Sequence, residues 1–212
     1  MSYFDVRLKQ DTRRPIVWRE VVRYLKPWIA GRARALEIGA GYCSFINEIS
    51  AKERTAMDQD PVVKEHAHEG INVVVSDLRE GLKGIGPFDL VLASNLFEHF
   101  TTEEFELLIK SVKEVLVSGG RLIAIQPNFR FAFREYFDDY THKKIFTDEG
   151  LCGALEAEGF RIVRREARFL PFSLKSSPGL MPESLLPLIV RLYLASPWRP
   201  KAGQMLIVAE KT

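Results

Sequence analysis

The run Ala35-Leu-Glu-Ile-Gly-Ala-Gly-Tyr-Cys-Ser-Phe45 carries the fold: an apolar strand pattern stops at two glycines separated by one residue, and a helical pattern follows. Gly39 and Gly41 lack a Cβ, so the backbone there can take dihedrals closed to other residues and let a ligand approach the main chain. A dinucleotide-binding turn would carry a third glycine three residues after the second. That position is Ser44, which argues against a dinucleotide.

Outward from this turn, Arg54-Thr-Ala-Met-Asp58 reads as a second strand that ends in a carboxylate 21 positions after Glu37. A carboxylate about 20 residues on, at the tip of the second parallel strand, can accept hydrogen bonds from a ribose hydroxyl. A third strand, Ile71 to Val75, stops at Ser76, Asp77 and Leu78, and a fourth, Phe88 to Ala93, stops at Ser94 and Asn95. Polar groups at four successive strand ends line one crevice of an open parallel sheet.

The segments LEIGAGYCSF, AMDQDP, VVVSDL, FDLVLASNLFEHF and LVSGGRLIAIQPN follow one another between Arg34 and Asn128. In order and spacing they resemble the successive motifs of class I S-adenosylmethionine-dependent methyltransferases, and the chain is similar to small bacterial members whose acceptor is unassigned. The resemblance implies an α/β fold, a Rossmann-like sheet that is mostly parallel with an antiparallel last strand and helices on both faces. It implies S-adenosylmethionine as cofactor, with Glu37 and the Gly39, Ala40, Gly41 turn on the methionyl end and Asn95 nearby. By the same resemblance Asp58, followed by Gln59, holds the ribose, and Asp77 with Leu78 holds the adenine. A third glycine often stands in that family where this chain has Cys43, so a slightly wider turn is expected. Structural roles compete at two positions: Glu37 can brace the turn, because a carboxylate inside a strand needs donors, and Asp77 can cap the next helical turn.

The 212 residues suffice for one domain with a full core, and 46% apolar and 27% charged residues are ordinary for a globular chain. A formal net charge of +2, with scattered Lys and Arg, gives no footprint for nucleic acid. Cys43 and Cys152 lie far apart, with no CxxC and no histidine at ligand spacing. A disulfide framework and a zinc site are therefore not expected, and no metal enters the expected site. The amino end, Met1 to Asp5, has no basic and apolar leader pattern, and no apolar run reaches the roughly 18 residues that span a bilayer. A cytoplasmic location is the expectation.

Apolar residues at helical spacing from Ile16 to Ile29 predict a helix over about 13–30, with Pro27 bending or ending it. Further helices are expected from Cys43 to Lys52, from Pro61 to His68, from Thr102 to Val117 and from Thr147 to Glu158. Gly119 and Gly120 should stop the third of these before a strand from Arg121 to Gln126, and strands should also cover Phe160 to Ala167 and Gln204 to Glu210. The whole chain, 1–212, reads as one domain with acceptor-side insertions at about 129–146 and 168–202. The second insertion holds six of the eleven prolines and is strongly apolar.

Methyl transfer from a sulfonium is an in-line displacement, so positioning and exclusion of water are the main demands. A hydroxyl or amine acceptor must also lose a proton, and His142, Tyr140 and His99 are the candidate bases. Asp138 or Asp139 could orient His142, His99 follows Glu98 just past a strand tip, and His66 and His68 read as surface residues. The expected partner is a small-molecule acceptor methylated on oxygen: a sugar, a lipid-linked compound or a secondary metabolite. The apolar segment 169–200 could pack on the sheet, pair a homodimer, or meet a lipid-linked substrate or a membrane surface. Two other readings stay open: a non-catalytic scaffold that keeps the fold, and a nicotinamide-dependent oxidoreductase, which the missing third glycine disfavours.

Overall fold

In the computed structural model, residues 12–171 and 182–212 are described. The expectations that touch 1–11 and 172–181, including the amino end and part of the apolar segment 169–200, lie outside the described residues.

Seven strands form one sheet: β1 Arg34–Ile38, β2 Glu53–Asp58, β3 Ile71–Val75, β4 Phe88–Ser94, β5 Leu116–Pro127, β6 Phe160–Glu166 and β7 Gln204–Lys211. Their order is β3-β2-β1-β4-β5-β7-β6. The first five are parallel, and β7 runs antiparallel to both β5 and β6. This is the sheet of the class I methyltransferase fold, with the antiparallel strand where the resemblance placed it. The strand order reverses between β1 and β4, so the carboxyl ends of those two strands open onto a topological switch point.

Side chains alternate along each strand and feed two apolar layers. Leu36, Ile38, Val91, Leu122 and Ile207 face one layer, shared with helices α3 (Thr102–Val115) and α5 (Asp148–Ala157). Ala35, Leu90, Ile123 and Leu206 face the other, shared with α1 (Arg14–Ile29) and α6 (Leu186–Ala195). Two short helices, α2 (Val63–His66) and α4 (Phe129–Ala132), follow β2 and β5. The α3 N-terminus carries a complete capping box, with Thr101 Oγ1 accepting from the Glu104 amide and Glu104 Oε2 from the Thr101 amide. Thr147 caps α5 through the Gly150 amide.

Three expected elements differ. No regular helix runs from Cys43 to Lys52; residues 41–48 form successive turns. Cys43 takes the left-handed conformation, φ 54°, and the Ile46 amide donates to Glu37 Oε2 at 3.0 Å instead of to a carbonyl one turn back, which breaks the helical ladder. The helix expected over Pro61 to His68 shrinks to the four residues of α2. The glycine pair does not end α3, since β5 already begins at Leu116, paired with Phe88. Gly119, φ 70°, bends the strand, and pairing resumes with a shifted register at Arg121 opposite Leu90. Pro27 sits in the last turn of α1, and the helix continues past it to Ile29.

The described part of the second insertion packs over the sheet. Leu186, Val190 and Leu194 of α6 are buried with Val17, Val21 and Leu25 of α1, and Arg191 forks onto Glu20. Leu188 and Leu192 on the outer side of α6 stay exposed. Among the described residues no helix is long and apolar enough to cross a membrane.

Candidate active site

Glu37 follows Leu36 in β1, so strand alternation turns it to the α1 side beneath the 41–48 turns, 3% exposed. Its Oε2 accepts the Ile46 amide at 3.0 Å, and burial lifts its pKa to about 8. At the β2 tip Asp58 is 8% exposed, with Oδ2 accepting from the Gly41 amide and Oδ1 from the Asp60 amide, both at 2.9 Å. Burial raises its pKa against the pull of these amides. One carboxylate thus ties the glycine turn to the second strand and keeps further lone pairs.

Gly39 (φ 63°) and Gly41 (φ 49°) both lie in the left-handed region. A Cβ on Gly39 would also come within 2.7 Å of Leu96 Cδ1, so the turn after β1 and the segment after β4 meet backbone to side chain. Asn95, φ 48°, is exposed at the β4 tip, and its Oδ1 accepts from Gln204 Nε2 at 2.6 Å. Gln126, fully buried on β5, supports this tip: its Oε1 accepts the Leu96 and Phe97 amides and its Nε2 donates to the Ala93 carbonyl.

Beyond Leu96 the chain makes a single 3-10 turn, Phe97–His99, and the loop at 139–144 docks on it, with the Lys143 and Lys144 amides donating to the Glu98 carbonyl. This places Glu98, His99 and His142 together, one ligand atom of each within 4.8 Å of the others. His142 Nε2 lies 3.9 Å from Glu98 Oε1, with both side chains almost fully buried. Burial lifts the Glu98 carboxyl to about 8 and, with the neighbouring His142, draws His99 down to about 4. The rings of Tyr136 and His99 stand edge-on to His142 at 4.6 and 5.0 Å. Tyr136 is fully buried, and its hydroxyl donates to the Lys144 carbonyl.

A family model described as a methyltransferase domain matches residues 11–165, more than half of the chain. The chain belongs to this methyltransferase family. It is an S-adenosylmethionine-dependent methyltransferase. Similar solved structures show the same fold. A methyltransferase from Archaeoglobus fulgidus shares 24% identity at a TM-score of 0.69, with 93% of this chain and 94% of that one covered. The N-methyltransferase NodS from Bradyrhizobium japonicum, solved with S-adenosyl-L-homocysteine, shares 15% at 0.65, with 100% and 93% covered. A methyltransferase from Mesorhizobium loti shares 17% at 0.64, with 90% and 96% covered. A comparison with curated proteins finds no match.

The strand tips of this methyltransferase fit S-adenosylmethionine: a left-handed glycine turn, two buried carboxylates, and Gln59 and Asn95 exposed at the edge. Asp77 caps the 3-10 turn Leu78–Glu80, with Oδ1 accepting the Arg79 amide and Oδ2 the Arg79 guanidinium, while Leu78 is buried behind it. Tyr140 does not join the cluster; its ring is 80% exposed. Asp139 Oδ1 accepts from the Thr141 amide and hydroxyl, and Thr141 Oγ1 meets His99 Nδ1 at 2.9 Å, so the carboxylate that faces His142 Nε2 is Glu98. His66 lines a shallow cleft of about 270 Å³ with Arg14, Tyr42, Ser44 and Asn47 on the α1 side of the glycine turn. Glu98, Gln126 and Gln204 carry no local sequence signal of these roles, because each acts on a partner at least 29 residues away.

Proposed function

We propose that this methyltransferase transfers a methyl group from S-adenosylmethionine to an oxygen of a small hydroxylated acceptor. Glu37 takes the donor's ammonium, the Gly39 to Gly41 turn with Asn95 its methionyl end, Asp58 and Gln59 its ribose, and Asp77 with Leu78 its adenine. The observation that carries the reading is the contact of Leu96 with the Gly39 turn, two residues before the buried Glu98, His99 and His142. A donor site and a proton-handling cluster therefore share one edge of the sheet.

The segment 136–142 forms the acceptor-side wall, and Phe169 and Leu170, tied to Gly203 and Gln204, reach the donor side through the Gln204 contact to Asn95. Glu98 and Tyr136 are buried beside the two partly buried histidines, and the Tyr136 ring packs edge-on against the imidazole of His142. His142 and His99 serve the acceptor's hydroxyl proton; the exposed ring of Tyr140 gives it at most a part in acceptor binding. Leu185, Leu188, Leu192 and Trp198 present an exposed apolar face, which suits an acceptor with an apolar or lipid-linked tail.

Positioning supplies most of the acceleration, and general-base help contributes typically 10²- to 10⁴-fold. His142→Asn is therefore expected to keep S-adenosylmethionine affinity, lower turnover of a hydroxyl acceptor by roughly 10²-fold or more, and spare a carboxylate acceptor. Steady-state methyl transfer with a hydroxyl and a carboxylate panel reads all three. Equal loss on both panels would mean that His142 only supports the fold.

A further inference from the structure

Glu98 and His99 are adjacent in sequence and His142 lies 43 positions further on, yet the 3-10 turn after β4 and the 139–144 loop bring one lone-pair atom of each within 4.8 Å of the others. We infer that Glu98, His99 and His142 form a binding site for one divalent transition-metal cation of the zinc, cobalt or manganese kind. The inference rests on the acceptor-side reading above for its purpose, with a bound cation, in place of the ligating imidazoles, lowering the pKa of the acceptor hydroxyl, whereas its test reads metal binding alone.

The donor set selects the metal class. One carboxylate and two imidazoles suit zinc and its first-row neighbours, whereas calcium and magnesium take oxygen ligands almost throughout. Three protein ligands also leave coordination positions open, as in catalytic zinc sites, for water or an acceptor oxygen. A tetrahedral centre with bonds of about 2.1 Å would hold its ligand atoms about 3.4 Å apart, so the 3.9 Å between His142 Nε2 and Glu98 Oε1 needs a closure of about 0.5 Å and the other pairs, all within 4.8 Å, of at most about 1.4 Å.

Charge points the same way. Glu98 is 1% exposed and its Oε2 has no hydrogen-bond partner among the described residues, an arrangement that costs free energy unless a proton or a cation sits beside it. The ammonium groups of Lys143 and Lys144, whose amides donate to the Glu98 carbonyl, are engaged with Glu104 and Thr102. Outer hydrogen bonds also orient one imidazole. The Thr141 hydroxyl has one proton, and the Asp139 carboxylate at 2.6 Å is the better acceptor for it, so Thr141 Oγ1 accepts from His99 Nδ1. That assignment leaves the lone pair on Nε2, and a carboxylate relayed to a histidine in this way is the usual support of a metal ligand.

The test is calorimetric titration of the full chain with zinc chloride, without donor or acceptor, alongside the absorption spectrum with cobalt(II). One saturable zinc site per chain is expected, weakened more than about 100-fold by Glu98→Gln and by His142→Ala, beyond what outer-layer changes cost. The double variant His66→Ala, His68→Ala should bind as the wild type does. Cobalt should give visible bands of a four- or five-coordinate nitrogen and oxygen site that zinc displaces, which decides the matter in the wild type even where a variant fails to fold. No saturable binding, binding that survives both cluster variants, or a thiolate-to-cobalt band from Cys43 or Cys152 would overturn the inference. With S-adenosylmethionine binding and the His142→Asn acceptor dependence intact, such a result removes the cation and leaves the methyl-transfer reading standing.

Discussion

Asp58→Ala is expected to weaken S-adenosylmethionine binding roughly 10- to 150-fold, the equivalent of about 1.5–3 kcal/mol for hydrogen bonds to a charged group. Two effects add. The variant removes the acceptor assigned to the ribose hydroxyls, and it frees the Gly41 and Asp60 amides that Asp58 now holds at 2.9 Å. The second effect loosens the glycine turn itself, so the fold of the sheet should persist while the donor site loses its shape. Calorimetry with S-adenosylmethionine and its demethylated product, with circular dichroism to follow the fold, measures both. Unchanged affinity in a folded variant would place Asp58 outside the donor site.

Arg199→Met should give the largest stability loss, about 1.5–3 kcal/mol, the range for hydrogen bonds to a charged group, because Arg164 still pairs with Glu166 in the variant. Arg199 is 9% exposed and sits where four segments meet. Its Nη1 donates to Glu166 of β6 and to the Arg168 carbonyl, and its Nη2 donates to Tyr24 of α1 and to the Leu194 carbonyl at the end of α6. The variant leaves Glu166 with Tyr24 and Arg164 as its partners among the described residues. Burial pushes the Glu166 carboxyl up, but hydrogen bonds from Tyr24, Arg164 and Arg199 outweigh it and hold it below the usual 4.5. A lowered carboxyl contributes stability above that usual value and loses it as pH falls through the folded value. Wild type should thus destabilise below about pH 4.5, and Arg199→Met should show a shallower acid dependence. Urea unfolding at neutral and acid pH checks both, and a loss under about 1 kcal/mol would show the pair to be replaceable.

Much of the sheet was legible because alternation has a period of two. Leu36 and Ile38 against Ala35 and Glu37 already separate the two layers in sequence. The four polar strand tips were legible for the same reason, since each apolar run stops at the polar residue that ends its strand. The region after the glycine turn was not. Cys43 takes a backbone conformation that only glycine advertises, and Glu37 captures an amide that a helix would have used. Composition also hid the Glu98, His99 and His142 cluster, because its ligand spacing exists only after the 139–144 loop folds onto the Phe97–His99 turn. Arg199 read as one of several scattered basic residues, and only the convergence of α1, α6 and β6 turns it into a buried tie.

The most direct test of the donor site is calorimetric titration of the wild-type chain with S-adenosylmethionine in two buffers of different ionisation enthalpy. Glu37, raised to about 8 by burial, is protonated at neutral pH, and an ammonium placed against it favours the charged carboxylate. Binding at pH 7 should therefore release most of one proton, a release absent in Glu37→Gln, and the sign should reverse above about pH 8, where Glu37 is already ionised and the donor's own amine must gain a proton to bind as ammonium. Tight binding of NAD in place of S-adenosylmethionine, or S-adenosylmethionine binding with no proton release at pH 7, would contradict the assignment of Glu37 and the glycine turn to the methyl donor.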